Sequence, residues 1–130
     1  LALILILIDP SLFACKLWAV CARSGLTLST LSSSDRSILT NELTTLYYQS
    51  EAMLDGWAFL GYDQTISDSL APIYRSGSPA TEDSTLYWNS VDILTNQGEN
   101  FIGIGHLRVA TSGSNSIPNP HPCPQSQQTI

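Results

Sequence analysis

The period of the hydrophobic pattern changes repeatedly along this chain, and that alternation restricts its fold more than any other feature. Residues 101–109 are the clearest segment of period two: Ile102, Ile104, His106 and Arg108 fall on one face of an extended chain, because strand side chains alternate between faces. Residues 15–21 form a second such segment, bounded by Arg23-Ser24-Gly25, with Cys15, Leu17, Ala19 and Cys21 on a shared face. Asp55-Gly56 is a turn signal before a third, residues 57–62. Residues 70–75 are a weaker fourth, because Pro72 cannot donate to a ladder. Two segments of helical period lie between these. Residues 32–50 carry Ile38, Leu39, Leu43, Leu46 and Tyr47 at helical spacing, with Ser32 and Asp35 in capping-box positions. Thr81 is placed to cap a second helix through Leu86, Trp88, Val91 and Leu94, ending near Gly98. Trp18, Trp57 and Cys21 are expected in the core. Strands interleaved with helices predict a mixed domain, α+β or α/β, with helices covering a sheet.

At 130 residues the chain has the length of one domain and can bury a core without staples. A 43% hydrophobic and 12% charged composition excludes an intrinsically disordered chain. A net charge of −6 with no Lys/Arg cluster argues against nucleic-acid and anionic-membrane partners, which require concentrated positive charge. Three cysteines cannot close as a disulfide framework, so free thiols in a reducing, cytoplasmic setting are expected. Residues 1–8 are almost entirely Leu and Ile, and Asp9-Pro10 ends the run. Spanning a bilayer takes about 20 apolar residues, and a signal peptide starts with a basic region that is not seen here. Residues 1–14 are therefore expected to be a leader or extension outside the fold, with an additional strand as the alternative. A small residue before Cys15 also leaves export open, with lipidation of that cysteine. Beyond Thr111, Ser, Asn, Pro and Gln dominate, which predicts loop or disorder.

Two places concentrate chemistry. Cys15 opens an apolar strand, and Arg108 closes another, followed by the hydroxyls of Thr111 and Ser112. An arginine at the end of an apolar strand is costly to desolvate unless it meets an anion, and its planar fork suits a carboxylate. Four motifs stand in order: Cys15-Lys16-Leu17-Trp18-Ala19-Val20; Asp55-Gly56-Trp57; Tyr74-Arg75-Ser76 with Pro79-Ala80; and Gly105-His106-Leu107-Arg108-Val109-Ala110-Thr111-Ser112-Gly113 with Asn119-Pro120-His121-Pro122. Together they resemble the class II glutamine amidotransferase family of N-terminal-nucleophile (Ntn) hydrolases, particularly its small, stand-alone members. The resemblance covers residues 15–122.

It implies an α+β fold, the αββα four-layer sandwich, and hydrolysis of glutamine or a γ-glutamyl compound through a cysteine thioester. Cys15 matches the nucleophile, whose own α-amino group serves as base once it is the first residue. Arg108 matches the residue that grips the substrate's α-carboxylate, and Thr111 helps to position it. His106 matches a structural position, and Asn119 and His121 match the loop that follows. The partner implied is a small-molecule substrate, with ammonia passed to a synthase or hydrolysis as the whole reaction. No cofactor is implied. No metal is expected either, since Cys15, Cys21, His106, His121 and Cys123 lack a short-range zinc spacing. The family's oxyanion-hole Asn-Gly pair lies beyond the His-Pro loop, and no Asn-Gly occurs in these 130 residues. Residues 15–130 are accordingly expected to form a partial domain of this type. Two other readings stand beside it: a catalytically incompetent domain with a binding role, and a surface protein lipidated at Cys15.

Overall fold

A computed structural model of the chain describes residues 3–7, 15–63 and 73–109. Its elements in chain order are β1 (Leu3–Leu7), β2 (Lys16–Cys21), α1 (Ser33–Gln49), β3 (Trp57–Asp63), β4 (Ile73–Ser76), α2 (Ser84–Asp92) and β5 (Asn100–Leu107). A π-helical turn, Ile93–Gln97, continues α2. The strands form one five-stranded sheet in the order β1-β2-β5-β3-β4, and all neighbours are antiparallel. The fold is α+β.

The connections explain why the helices lie together. β2 and β3 both run antiparallel to β5, so they are parallel to each other and α1 is the crossover between them. β4 and β5 are likewise parallel across β3, with α2 as their crossover. The second crossover runs the opposite way along the sheet with its strands reversed, so the right-handed rule puts both helices on the same face. The core agrees: Leu39, Leu43 and Leu46 of α1, with Tyr87 and Leu94 from α2 and its extension, cluster with Trp18, Val20, Trp57, Phe59 and Leu107. Tyr87 lies at the centre. Its ring meets Trp57 at 5.2 Å and Phe59 at 5.1 Å between centroids, and its hydroxyl donates to the Leu43 carbonyl at 2.7 Å.

Small residues in the strands make room for this layer. Gly105 pairs with Trp18 and Phe59 on its two sides, and a Cβ on it would run into the Trp18 indole. A Cβ on Gly103, facing Gly61 across the ladder, would come within 3.1 Å of Val20 and 3.3 Å of Leu94. Gly105→Ala is expected to cost about 1–3 kcal/mol, the usual range for overpacking, read as a lower urea midpoint with an unchanged slope.

Burial pushes the Tyr87 phenol well above its ordinary value of 10.0, and neighbouring Tyr47 adds to the shift. A raised phenol keeps its proton while the unfolded chain loses its own. Stability is therefore full below pH of about 10 and falls as pH rises toward the folded value. Tyr87→Phe is expected to flatten this alkaline decline while costing about 1 kcal/mol at neutral pH through the lost hydrogen bond. Chemical unfolding at pH 7 and above pH 10 checks both effects.

Several expectations are corrected. Residues 3–7, placed by the leader reading outside the fold, are the edge strand of the sheet, in register with β2 from Leu3↔Cys21 to Leu7↔Leu17. Cys21, expected in the core, is exposed, because the helices cover the opposite face of β2, that of Trp18 and Val20. Ile38 and Leu86 are 47% and 45% exposed, at the margins of their helices. The N-cap of α2 is Asp83, two residues after Thr81, because the backbone N–H groups of Glu82 and Asp83 first close a turn on Pro79. The Ser32 cap is present, with its hydroxyl accepting from the Asp35 N–H at 3.1 Å. Among the described residues, no helix is long and apolar enough to cross a membrane.

Candidate functional site

One end of the sheet gathers the starts of β2 and β3 and the ends of β4 and β5. Lys16 pairs with Leu107, Leu107 with Trp57, and Trp57 with Ser76, which makes this the last regular row across four strands. Just past it lie Cys15, Arg108, Gly56 and Gly77. Antiparallel pairing thus brings together residues far apart in the chain.

Cys15 is exposed, and its Sγ sits against the backbone of Val109. The Val109 N–H donates to the sulfur at 3.4 Å, and the sulfur lies 3.4 Å from the Val109 carbonyl oxygen, across 94 positions of sequence. Arg108 precedes that contact and is 7% exposed. Its backbone N–H donates to the Gly56 carbonyl at 2.9 Å, while its own carbonyl accepts from the Asp55 N–H at 3.3 Å. Two residues of one strand therefore oppose one of the other, as in a β-bulge, a device that re-aims a side chain at a sheet end. Gly56 permits this through its φ of +113°. A Cβ there would collide with the Ser76 carbonyl and lie 3.0 Å from Gly77. The floor beside Arg108 consequently carries backbone and no side chain at Gly56.

The rows behind are consistent with this. His106 lies in register with Leu17 on one side and Ala58 on the other, and Ala58 pairs with Arg75. By strand alternation His106 and Arg75 share the sheet face opposite the helices. His106 is buried, with 6% exposure. Further along, that face is apolar and open in part: Leu17 and Tyr62 are 41% and 53% exposed.

Of the residues expected to form a site, Cys15 and Arg108 come to the same corner, together with the Asp55-Gly56 and Tyr74-Arg75-Ser76 segments. Thr111, Asn119, His121 and Cys123 lie outside the described residues. Sequence reasoning missed the Val109 backbone, which no side-chain identity announces, and the contact of Ser76 with Gly56. Their signals were the strand-end position of Arg108 and the Asp-Gly turn.

A cleft of about 280 Å³ lies elsewhere, in the helical layer between α1 and α2, where Leu39, Leu43, Trp88 and Val91 line it. Its polar rim is internally matched. Arg36 donates to the Ser29 carbonyl at 2.7 Å and to the Asn96 side chain, and Asp92 accepts from Asn96 at 2.7 Å and from Gln97. These bonds, Asn96 first, hold the Asp92 carboxyl below its usual value. The cleft is an interhelical gap on the other side of the sheet from Cys15. Among the described residues no cluster of three or more His, Cys, Asp or Glu could hold a metal.

No protein-family profile, curated protein or solved structure matches the chain.

Proposed function

We propose that this chain is an amide hydrolase of the class II glutamine amidotransferase type, with Cys15 as nucleophile toward the side-chain amide of glutamine or of a γ-glutamyl compound. The observation that supports it is the meeting, at one sheet end, of Cys15, Asp55-Gly56, Tyr74-Arg75-Ser76 and Arg108, with Sγ 3.4 Å from the Val109 N–H.

The chemistry proposed is that which the resemblance implies. With Cys15 as the first residue, its α-amine, of unperturbed pKa about 7.7–8.0, takes the thiol proton. The thiolate adds to the amide carbon, the C–N bond breaks, and ammonia departs with the proton. Water then cleaves the thioester to release the carboxylic acid and restore the thiol. The Arg108 guanidinium pairs with the substrate's α-carboxylate, and Thr111 assists. In the 130-residue sequence the nitrogen of Cys15 is an amide, so the mechanism needs residues 1–14 removed. Because β1 is an edge strand, its removal leaves the β2-β5-β3-β4 ladders intact.

The fold lends support. Helices cover one face of the sheet, while the other carries Leu17, Ala19, Ile102, Ile104 and Tyr62 by alternation. A second sheet against that face, itself covered by helices on its far side, would complete the four-layer sandwich, with Cys15 and Arg108 between the sheets. The same open face favours, as the second reading, a domain whose role is binding.

The test compares L-glutamine turnover by chain beginning at Cys15 with turnover by chain retaining residues 1–14. Activity only in the first, abolished by Cys15→Ala, is expected. Equal turnover by both would refute the N-terminal base.

A further inference from the structure

We propose that Asp83 is a positioning residue: through the Ser76 hydroxyl it clamps the end of β4 against Gly56, and so holds Arg108 and Val109 against the Cys15 sulfur. The inference rests on the reading of Cys15 as the nucleophile, but its structural half stands independently of turnover.

Asp83 occupies the N-cap of α2, where an aspartate ordinarily accepts from the first free N–H groups of its helix. Here the carboxylate makes no such bond. It accepts instead from Ser76 Oγ, which in turn accepts from the Ser78 N–H at 3.2 Å. The turn beneath is fixed, since the N–H groups of Glu82 and Asp83 donate to the Pro79 carbonyl at 3.0 and 3.2 Å. A cap given up at α2 is thus used to fasten the loop after β4.

What is fastened bears on the site. Ser76 pairs with Trp57, and its carbonyl lies where a Cβ on Gly56 would be. Gly56 accepts the Arg108 N–H at 2.9 Å, and the next residue, Val109, touches Cys15 Sγ through both its N–H and its carbonyl. Asp83, Ser76, Gly56, Arg108, Val109 and Cys15 form an unbroken series in which each member contacts the next or is bonded to it. Near-attack geometry is lost with displacements of about 1 Å, so a loose β4 end would be felt at the sulfur.

The experiment is hydrogen–deuterium exchange on the 130-residue chain, resolved at Arg108 and Val109, with the Val20 and Ile104 amides as internal reference. Asp83→Ala and Ser76→Ala are each expected to speed exchange at Arg108 and Val109 by roughly five- to tenfold, the scale of one lost hydrogen bond, while the reference amides keep their rates. The double variant should add nothing to either single one. Asp83→Asn retains an acceptor oxygen and should restore wild-type exchange. Unchanged exchange at Arg108 and Val109 in both folded alanine variants overturns the proposal. So does a uniform increase across the sheet, or a failure of Asp83→Asn to restore protection. Glutamine turnover by chain beginning at Cys15 separates the two ideas, since its absence bears on the nucleophile and leaves the clamp readable by exchange.

Discussion

Arg108→Gln, introduced into chain that begins at Cys15, is expected to raise KM for glutamine by roughly 10²- to 10³-fold. Arg108 is 7% exposed, at the end of an apolar strand. Breaking one side of a desolvated, hydrogen-bonded charge pair costs about 3–5 kcal/mol, and about 1.4 kcal/mol is a factor of ten. The loss should fall on KM because, in the role proposed for Arg108, the α-carboxylate would be held alike in ground state and transition state. Arg108→Lys keeps the charge without the bidentate fork, so a partial recovery is expected. Substrates lacking the α-carboxylate should be insensitive to both changes. Steady-state kinetics on glutamine and on an amide without that carboxylate make the comparison, with thermal unfolding to show that each variant is folded. An Arg108→Gln variant with unaltered KM would remove Arg108 from the substrate site.

Gly56→Ala has the second large effect, on the fold and the site together. Its φ of +113° is a region that L side chains rarely adopt, and the added Cβ meets the backbone carbonyl of Ser76, which no rotamer change can move. Strain of about 1–2 kcal/mol and overpacking of about 1–3 kcal/mol act together. For a domain of this size each kcal/mol lowers Tm by about 2–8 °C, so a fall of at least about 4 °C is expected by calorimetry. The displaced β4 end should also weaken the Gly56–Arg108 backbone bond. By contrast, Gly25→Ala has only its φ of +80° to contend with, since nothing lies within 4 Å of the added atom, and should cost less.

How much of this was legible in the sequence depends on which interaction decides each feature. β2, β3 and β5 and the two helices are set by local periodicity, and they appear within a few residues of their expected bounds. The weaker strand expected over residues 70–75 is described as Ile73–Ser76, and residues 70–72 lie outside the described residues. Periodicity did not decide which face of β2 would be covered. Cys15, Leu17, Ala19 and Cys21 share a face as expected, but the crossover handedness puts both helices on the other one, leaving Cys21 exposed. Nor does it show that residues 3–7 would add an edge strand, because an apolar run fits a leader and a strand equally well. The π-helical turn Ile93–Gln97 likewise has no signature in spacing. Cys15 and Arg108 could be placed in one site only through the ordered motifs, since pattern alone says nothing about which strand ends coincide. The sheet order supplies that missing relation.

The most direct test of the central claim is the covalent intermediate itself. Chain beginning at Cys15 is mixed with L-glutamine, quenched in acid and examined by intact mass and peptide mapping. The account predicts an adduct of one glutamyl group on Cys15, lost on treatment with hydroxylamine as a thioester would be, absent from Cys15→Ala and diminished in Arg108→Gln. An adduct on Cys21, or glutamine turnover that persists in Cys15→Ala, would contradict it.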